Sequence, residues 1–311
     1  MPARGVSELD VLGLSCCCWD LLAIVDRMPE LDDKAPMREW TQQGGGQAAT
    51  AMVAVARLGG KAGIIGRVGD DENGDHIHRA FVAERVDTSG LRQVPGETSQ
   101  FAICIIHGPT GKRTIFWKPG TVGPPAAAEV SPEQVRAAKV LLVDAHAPEA
   151  GLQAAQYAHE AGLPIVLDLE KPSPTNEALI RLSTHPVLPL GFVRALTGVD
   201  DPIAAARRAQ RLGPQTVVVT LGDRGCVAVE GARVVRLAAY DVPVVDTTGA
   251  GDVFHGAFAY GLVLGLGLED NLRLASAVAA LKCRALGGRA GLPSLAEAQE
   301  LVRTGRFREA S

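Results

Sequence analysis

Short apolar runs alternate along this chain with segments that read as helices, the rhythm of a parallel sheet covered on both faces. Leu9 to Cys18 is one continuous apolar run and predicts a buried strand with Asp20 just past its end. Pro36 to Gln43 reads as a short strand, followed by Gly44-Gly45-Gly46 and a helix rich in Ala and Val from Ala48 to Leu58. Lys61 to Arg67 predicts another strand, and Asp75 to Glu84 a helix. The rhythm then breaks. Ser99 to His107 and Lys112 to Lys118 flank Gly108-Pro109-Thr110-Gly111, which is a hairpin signal and has no place in a doubly wound sheet. From Val140 the alternation resumes, with strands at Val140–Val143, Pro164–Leu167 and Thr216–Thr220 and helices at Ala150–Glu160, Asn176–Leu182 and Ile203–Leu212. Leu272 to Cys283 predicts an apolar helix near the end. The expected class is α/β, Rossmann-like, with a mainly parallel sheet flanked by helices and a small separate β element.

A chain of 311 residues, 47% hydrophobic, can bury a large core. Nothing reads as a linker, so residues 1–311 are taken as one domain, with the separate β element contributed by about 33–43 and 98–120. The net charge of −4 provides no basic footprint, which argues against nucleic acid as a partner. No apolar run reaches membrane-spanning length and the N-terminus has no signal-peptide layout, so a cytoplasmic protein is expected. Cys16-Cys17-Cys18 lie in one apolar stretch where neighbours face opposite ways, so they cannot all pair or hold one metal. Buried free thiols in a reducing compartment fit better.

The chemistry concentrates in Val244 to Ala259. Two apolar residues end in Asp246-Thr247-Thr248-Gly249-Ala250-Gly251-Asp252, and a helix of small and apolar residues follows. Glycines permit a sharp turn, and the amides of Gly249, Ala250, Gly251 and Asp252 would open a helix N-terminus, which attracts anions. Asp252 then places a base beside an anion site, as phosphoryl transfer to a hydroxyl requires. A plain strand–turn–helix capped by Asp252 would carry the same four residues. The Asp-Thr-Thr before them and the small-residue helix after them favour the anion site.

Asp246 to Gly256 resembles the signature of the PfkB-type sugar kinases, the ribokinase superfamily. Gly44 to Ala51, Ala56-Arg57-Leu58-Gly59 and Ile65 to Gly74 are similar to that family's N-terminal signature, so the likeness spans nearly the whole chain. The resemblance implies ATP-dependent phosphorylation of a primary hydroxyl on a small sugar, with Mg2+ and, in many relatives, K+. It implies that Asp252 is the catalytic base and that Asp20, Gly45, Gly46 and Thr50 bind the sugar, although relatives often carry Asn where this chain has Thr50. Thr220, Gly222 and Gly225, with Thr248, would face the nucleotide. Asp246, Gly288 and Gly291 would hold a monovalent cation through main-chain oxygens. The separate β element, about 33–43 and 98–120, resembles the family's lid, which implies that it closes over the sugar and pairs two subunits as a homodimer.

Two departures qualify this picture. Relatives carry an Asn and a Glu three apart before Leu196-Thr197-Gly198, and here those places are Pro189 and Phe192, which offer Mg2+ no side-chain oxygen. Leu167 to Pro172 resembles ketohexokinases, while Val244 to Gly256, Ala279 to Cys283 and Gly287 to Pro293 resemble sulfofructose kinases. The Lys that reads the sulfonate in the latter matches Lys34, but the Asn and Arg positions fall at Trp117 and His146. Imidazole in place of a planar guanidinium is poor equipment for an anion. A neutral ketose is therefore the expected substrate. A sulfonated sugar, a nucleoside, or binding without turnover are the alternatives.

Overall fold

The computed structural model describes residues 9–308. Residues 1–8, part of the stretch read for a signal layout, and residues 309–311 lie outside them. In chain order the first elements are β1 (Leu9–Leu14), β2 (Cys18–Val25), β3 (Met37–Gly45), α1 (Gln47–Arg57), β4 (Ala62–Gly69), α2 (Glu72–Ala83) and β5 (Asp87–Val94). Next come β6 (Gln100–His107), β7 (Lys112–Lys118), α3 (Pro132–Arg136), β8 (Ala138–Asp144), α4 (Pro148–Glu160), β9 (Ile165–Asp168), α5 (Pro174–Leu182) and β10 (His185–Pro189). The last are α6 (Leu190–Thr197), α7 (Pro202–Gln210), β11 (Thr216–Thr220), β12 (Cys226–Glu230), β13 (Arg233–Leu237), α8 (Ala250–Val263), α9 (Leu268–Lys282) and α10 (Leu295–Thr304).

Nine strands form the main sheet in the order β13-β12-β11-β10-β9-β8-β1-β4-β5. The run from β11 to β5 is parallel, and β12 and β13 extend it antiparallel at one edge. Side chains alternate between the two faces. Val140 and Leu142 join the core under α1, α8 and α9, whereas Leu141 and Val143 join the core under α4, α5 and α7. Both faces are thus dry, which is why these strands read as unbroken apolar runs. Truncating a fully buried residue such as Leu141 to Ala would cost about 2–5 kcal/mol.

The first apolar run is two strands, not one. The chain leaves the main sheet after Leu14 and enters a second, four-stranded sheet at Cys18. At the break the Ser15 hydroxyl donates to Asp144 Oδ2 at 2.5 Å, and the run cannot continue in register. Hydrophobic patterning cannot register this switch, because every residue from Val11 to Cys18 is apolar or small. Asp20 consequently lies within β2 of the second sheet rather than past the end of a central strand.

The second sheet has the order β3-β2-β6-β7 and is the lid. It is built from two excursions of the chain, 18–45 and 100–118. Its inner face carries Leu22, Ile24, Ala102, Cys104 and Ile106, packed on Leu286. Pairing puts Asp20, Gln43, Ala102 and Trp117 on that same face. The outer face leaves Trp40 58% and Phe116 58% exposed.

All six cysteines are free, and burial pushes the thiols of Cys17 and Cys104 up to about 12. Among the described residues no helix is long and apolar enough to cross a membrane.

Candidate active site

Asp246 shapes the turn that precedes α8. Its carboxylate is fully buried; Oδ1 accepts from the Thr248 amide at 2.8 Å and hydroxyl at 2.7 Å, and Oδ2 accepts from the Gly287 amide at 2.8 Å. Thr248 is therefore turned inward as a brace. Gly249 follows with φ +74, and a Cβ there would sit 2.9 Å from Gly288 Cα, so both conformation and contact demand glycine. The Ala250 amide donates to Thr247 O at 3.2 Å, which takes it out of the expected anion site. The amides of Gly251 and Asp252 remain in the first turn of α8, where a helix has no acceptors of its own. Gly251 is exposed and a Cβ there would meet open space, which leaves room for an incoming anion.

Asp252 keeps partial access to solvent at the start of α8. Burial raises its pKa to about 7, with Asp168 and Asp144 pushing the same way and His255 and Arg113 opposing. Such a carboxyl is poised to take up a proton near neutrality. Asp168, at the end of β9, is buried and raised well above the usual carboxylate range by that burial, then by Asp144 and Glu170. His255, one turn after Asp252, sets Nδ1 2.6 Å from Gly251 O and Nε2 2.8 Å from Val187 O. Burial lowers its pKa, outweighing the two carbonyls and Asp252, which act the other way. Arg113 comes from β7 of the lid and donates to Thr247 Oγ1 at 3.4 Å. Neither His255 nor Arg113 was anticipated from the sequence. Arg113 alternates onto the inner lid face with Ile115 and Trp117, a pattern that could have flagged it.

On the lid side, a Cβ on Gly45 would run into the Asp20 carboxylate, so glycine there makes space for the acid. Burial raises the Asp20 pKa, opposed by the Cys18 thiol and by Arg289. The loop 286–291 ties this side to the anion turn. The Arg289 amide donates to Gln43 Oε1 at 2.7 Å, its guanidinium donates to Gly45 O at 3.2 Å and stacks over Phe81, and Gly288 rests against Gly249. Gly46 begins α1 with φ +95. Thr50 is buried, with its methyl packed between Gly249 and Gly288, so it supports the anion turn rather than lining an open pocket. Trp117 is 65% exposed on the inner lid face. His146 is exposed beyond the end of β8, with its amide on Asp144 Oδ1 at 2.9 Å. Lys34 sits in the exposed β2–β3 loop, where Asp33 and Arg27 hold its backbone.

Thr220 ends β11 beside Pro189 of β10, and Gly222 and Gly225 carry φ +66 and +91 in the turn that follows. Pro189 caps α6 and Phe192 is 1% exposed in the core, so neither presents an oxygen to a metal. Among the described residues no three His, Cys, Asp or Glu form a cluster suited to a metal ion. Gln47 Nε2 reaches both Asp168 Oδ1, at 3.5 Å, and Glu170 Oε1, at 3.3 Å, and two carboxylates so placed suit a hard cation that arrives with phosphates and keeps most of its water. Of the main-chain groups expected to hold a monovalent cation, the Asp246 carbonyl already accepts from Lys282 Nζ at 2.8 Å.

A family profile described as pfkB family carbohydrate kinase matches residues 8–295. Ribokinase from Bacillus subtilis (strain 168) is 28% identical over 290 residues, covering 93% of this chain and 98% of that protein. The 5-dehydro-2-deoxygluconokinase of Shouchella clausii is 28% identical over 320 residues, covering 95% and 96%. The structure of Arabidopsis thaliana ribokinase complexed with ribose and ATP superposes with a TM-score of 0.83 at 25% identity, covering 95% of this chain and 99% of that one. A large, mainly parallel sheet with a β lid is the ribokinase fold. The chain belongs to the pfkB family of carbohydrate kinases and is an enzyme of that class.

Proposed function

We propose that this enzyme transfers the γ-phosphoryl group of ATP to a primary hydroxyl of a small neutral sugar, a ketose by preference. The observation that carries the reading is Asp252, a carboxyl raised toward neutrality beside the unpaired amides that open α8. Asp252 takes the proton from the attacking hydroxyl, and the Gly251 and Asp252 amides receive charge on the transferring group. Asp20 accepts hydrogen bonds from sugar hydroxyls, with Gly45 and Gly46 letting the sugar approach the backbone. Thr220, Gly222 and Gly225 border the nucleotide. Mg2+ would enter with the phosphates, held in part by water to Asp168 and Glu170, and would neutralise phosphate charge. Closure of the lid keeps water from the phosphoryl group.

The named relatives act on different sugars, so kinship alone does not choose the substrate. The preference for a neutral sugar rests on this chain's own lid and rim. Trp117 offers an apolar face and one N–H donor, His146 lacks a planar fork, and Lys34 is an exposed point charge. The test is ADP release over a panel of ketoses, aldoses, a sulfonated ketose and nucleosides. Turnover of a neutral ketose with the highest kcat/KM is expected. Preference for the sulfonated sugar or a nucleoside would replace the substrate assignment, and binding without ADP release would replace the kinase by a non-catalytic homologue.

A further inference from the structure

Lys282 ends α9 with 0% exposure, and among the described residues it belongs to no ion pair within 4.0 Å. Its ammonium donates to the main-chain oxygen of Asp246 at 2.8 Å. A buried charge is costly, and an unbranched apolar side chain would fill the same space without that cost. The charge is spent on one carbonyl, at the residue whose carboxylate braces Thr248 and Gly287. The same corner is clasped again by the Cys283 carbonyl, which accepts from the Val245 amide at 2.8 Å and the Asp246 amide at 3.2 Å. Gly291 lies so close that a Cβ would strike the Lys282 carbonyl, so the 287–291 loop touches the backbone of Lys282 as well as the Asp246 carboxylate.

We propose that Lys282 is a positioning residue that serves as a tethered monovalent cation for the turn before α8. It holds the Asp246 carbonyl, and through the Asp246 carboxylate it fixes the entry to the Gly251 and Asp252 amides. A dissolved cation is then unnecessary, because the carbonyl it would need already faces an ammonium. The effect on turnover rests on the kinase reading above, whereas the occupancy of the carbonyl does not.

The experiment compares wild type, Lys282→Ala and Lys282→Met in KCl and in choline chloride at equal ionic strength, by melting temperature and by kcat and KM. Ala vacates space for an ion, whereas Met removes the charge and keeps the space filled. Wild type is expected to be indifferent to the salt in both measurements. Lys282→Ala should lose about 100-fold in kcat in choline chloride, the scale of a small misplacement of reacting groups, with the sugar KM little changed. KCl should restore much of that loss and raise the melting temperature of this variant alone, as an ion that binds only the folded state must. Lys282→Met should lose turnover in both salts. Activation or stabilisation of wild type by K+, full turnover by Lys282→Met, or a Lys282→Ala protein that K+ restores in neither measurement would each overturn the proposal. If wild type turns over no sugar, the kinase reading fails, and the melting temperatures still decide the role of Lys282.

Discussion

His255 places its Nδ1 3.4 Å from Oδ2 of Asp168, and both side chains are almost wholly buried. The same ring faces carbonyl oxygens with both nitrogens, so a neutral ring would set one lone pair against an oxygen. Burial lowers the pKa of the ring, and the two carbonyls and the Asp252 carboxylate act against it, so ring and acid are electrostatically linked. The ring's charge lowers the Asp252 pKa, so removing it should raise that pKa. His255→Asn is expected to move the acid limb of the kcat/KM profile up by about one pH unit. A limb that stays in place, in a variant of unchanged melting temperature, would show that the ring does not bear on the base.

Asp252→Asn should lower kcat by about two orders of magnitude or more and leave ATP binding intact. The wild-type rate should rise with pH through about 7, because only the ionised carboxyl accepts a proton. Stability should move the opposite way. A carboxyl whose folded pKa lies above its unfolded value binds protons more tightly when folded, so it stabilises the fold less as pH rises through that window. The melting temperature of Asp252→Asn relative to wild type should therefore increase between pH 5 and pH 8. Near-normal turnover by the folded variant would remove Asp252 from the chemistry.

Asp20 stands in β2 of the lid, on a different sheet from Thr220 and from the strands that Gly222 and Gly225 join. Asp20→Ala should raise KM for the sugar much more than KM for ATP. Equal effects on the two substrates would mean that Asp20 acts on the fold, through Arg289 and Gly45, rather than on the sugar.

The outer lid face exposes Trp40 and Phe116, and β7 is an edge strand whose seven residues are all exposed. Proteins usually cover such edges. Sedimentation is expected to show a homodimer, and Phe116→Glu should shift it toward monomer. A wild type that remains monomeric well above assay concentrations would reject this contact.

The βα rhythm, the lid hairpin and the Asp246–Asp252 turn were legible in the sequence because each depends on neighbouring residues. β5 was not, since an edge strand with polar residues such as Asp87, Arg92 and Gln93 shows no apolar run. β10 and α6 were hidden by Pro189, which ends one and caps the other. The anion turn was read with the Ala250 amide among its donors, yet that amide turns back to a carbonyl three residues earlier. Lys282, Arg289 and Arg113 enter the site from segments far away in sequence. Long-range hydrogen bonds such as Lys282 to Asp246 or Arg289 to Gln43 leave no periodic trace.

The lid is two excursions from an otherwise continuous α/β frame, the first leaving at the Ser15–Cys17 break and the second returning after Lys118. On the function proposed above, acceptor recognition and phosphoryl chemistry are therefore nearly separable along the gene. Exchanging only 18–45 and 100–118 with those of a relative would import a new sugar-facing surface while Asp246, Asp252 and Lys282 stay in their native frame. Gln43, whose side chain holds the 286–289 loop, and Arg113, which donates to Thr247, are seams that any such graft must preserve.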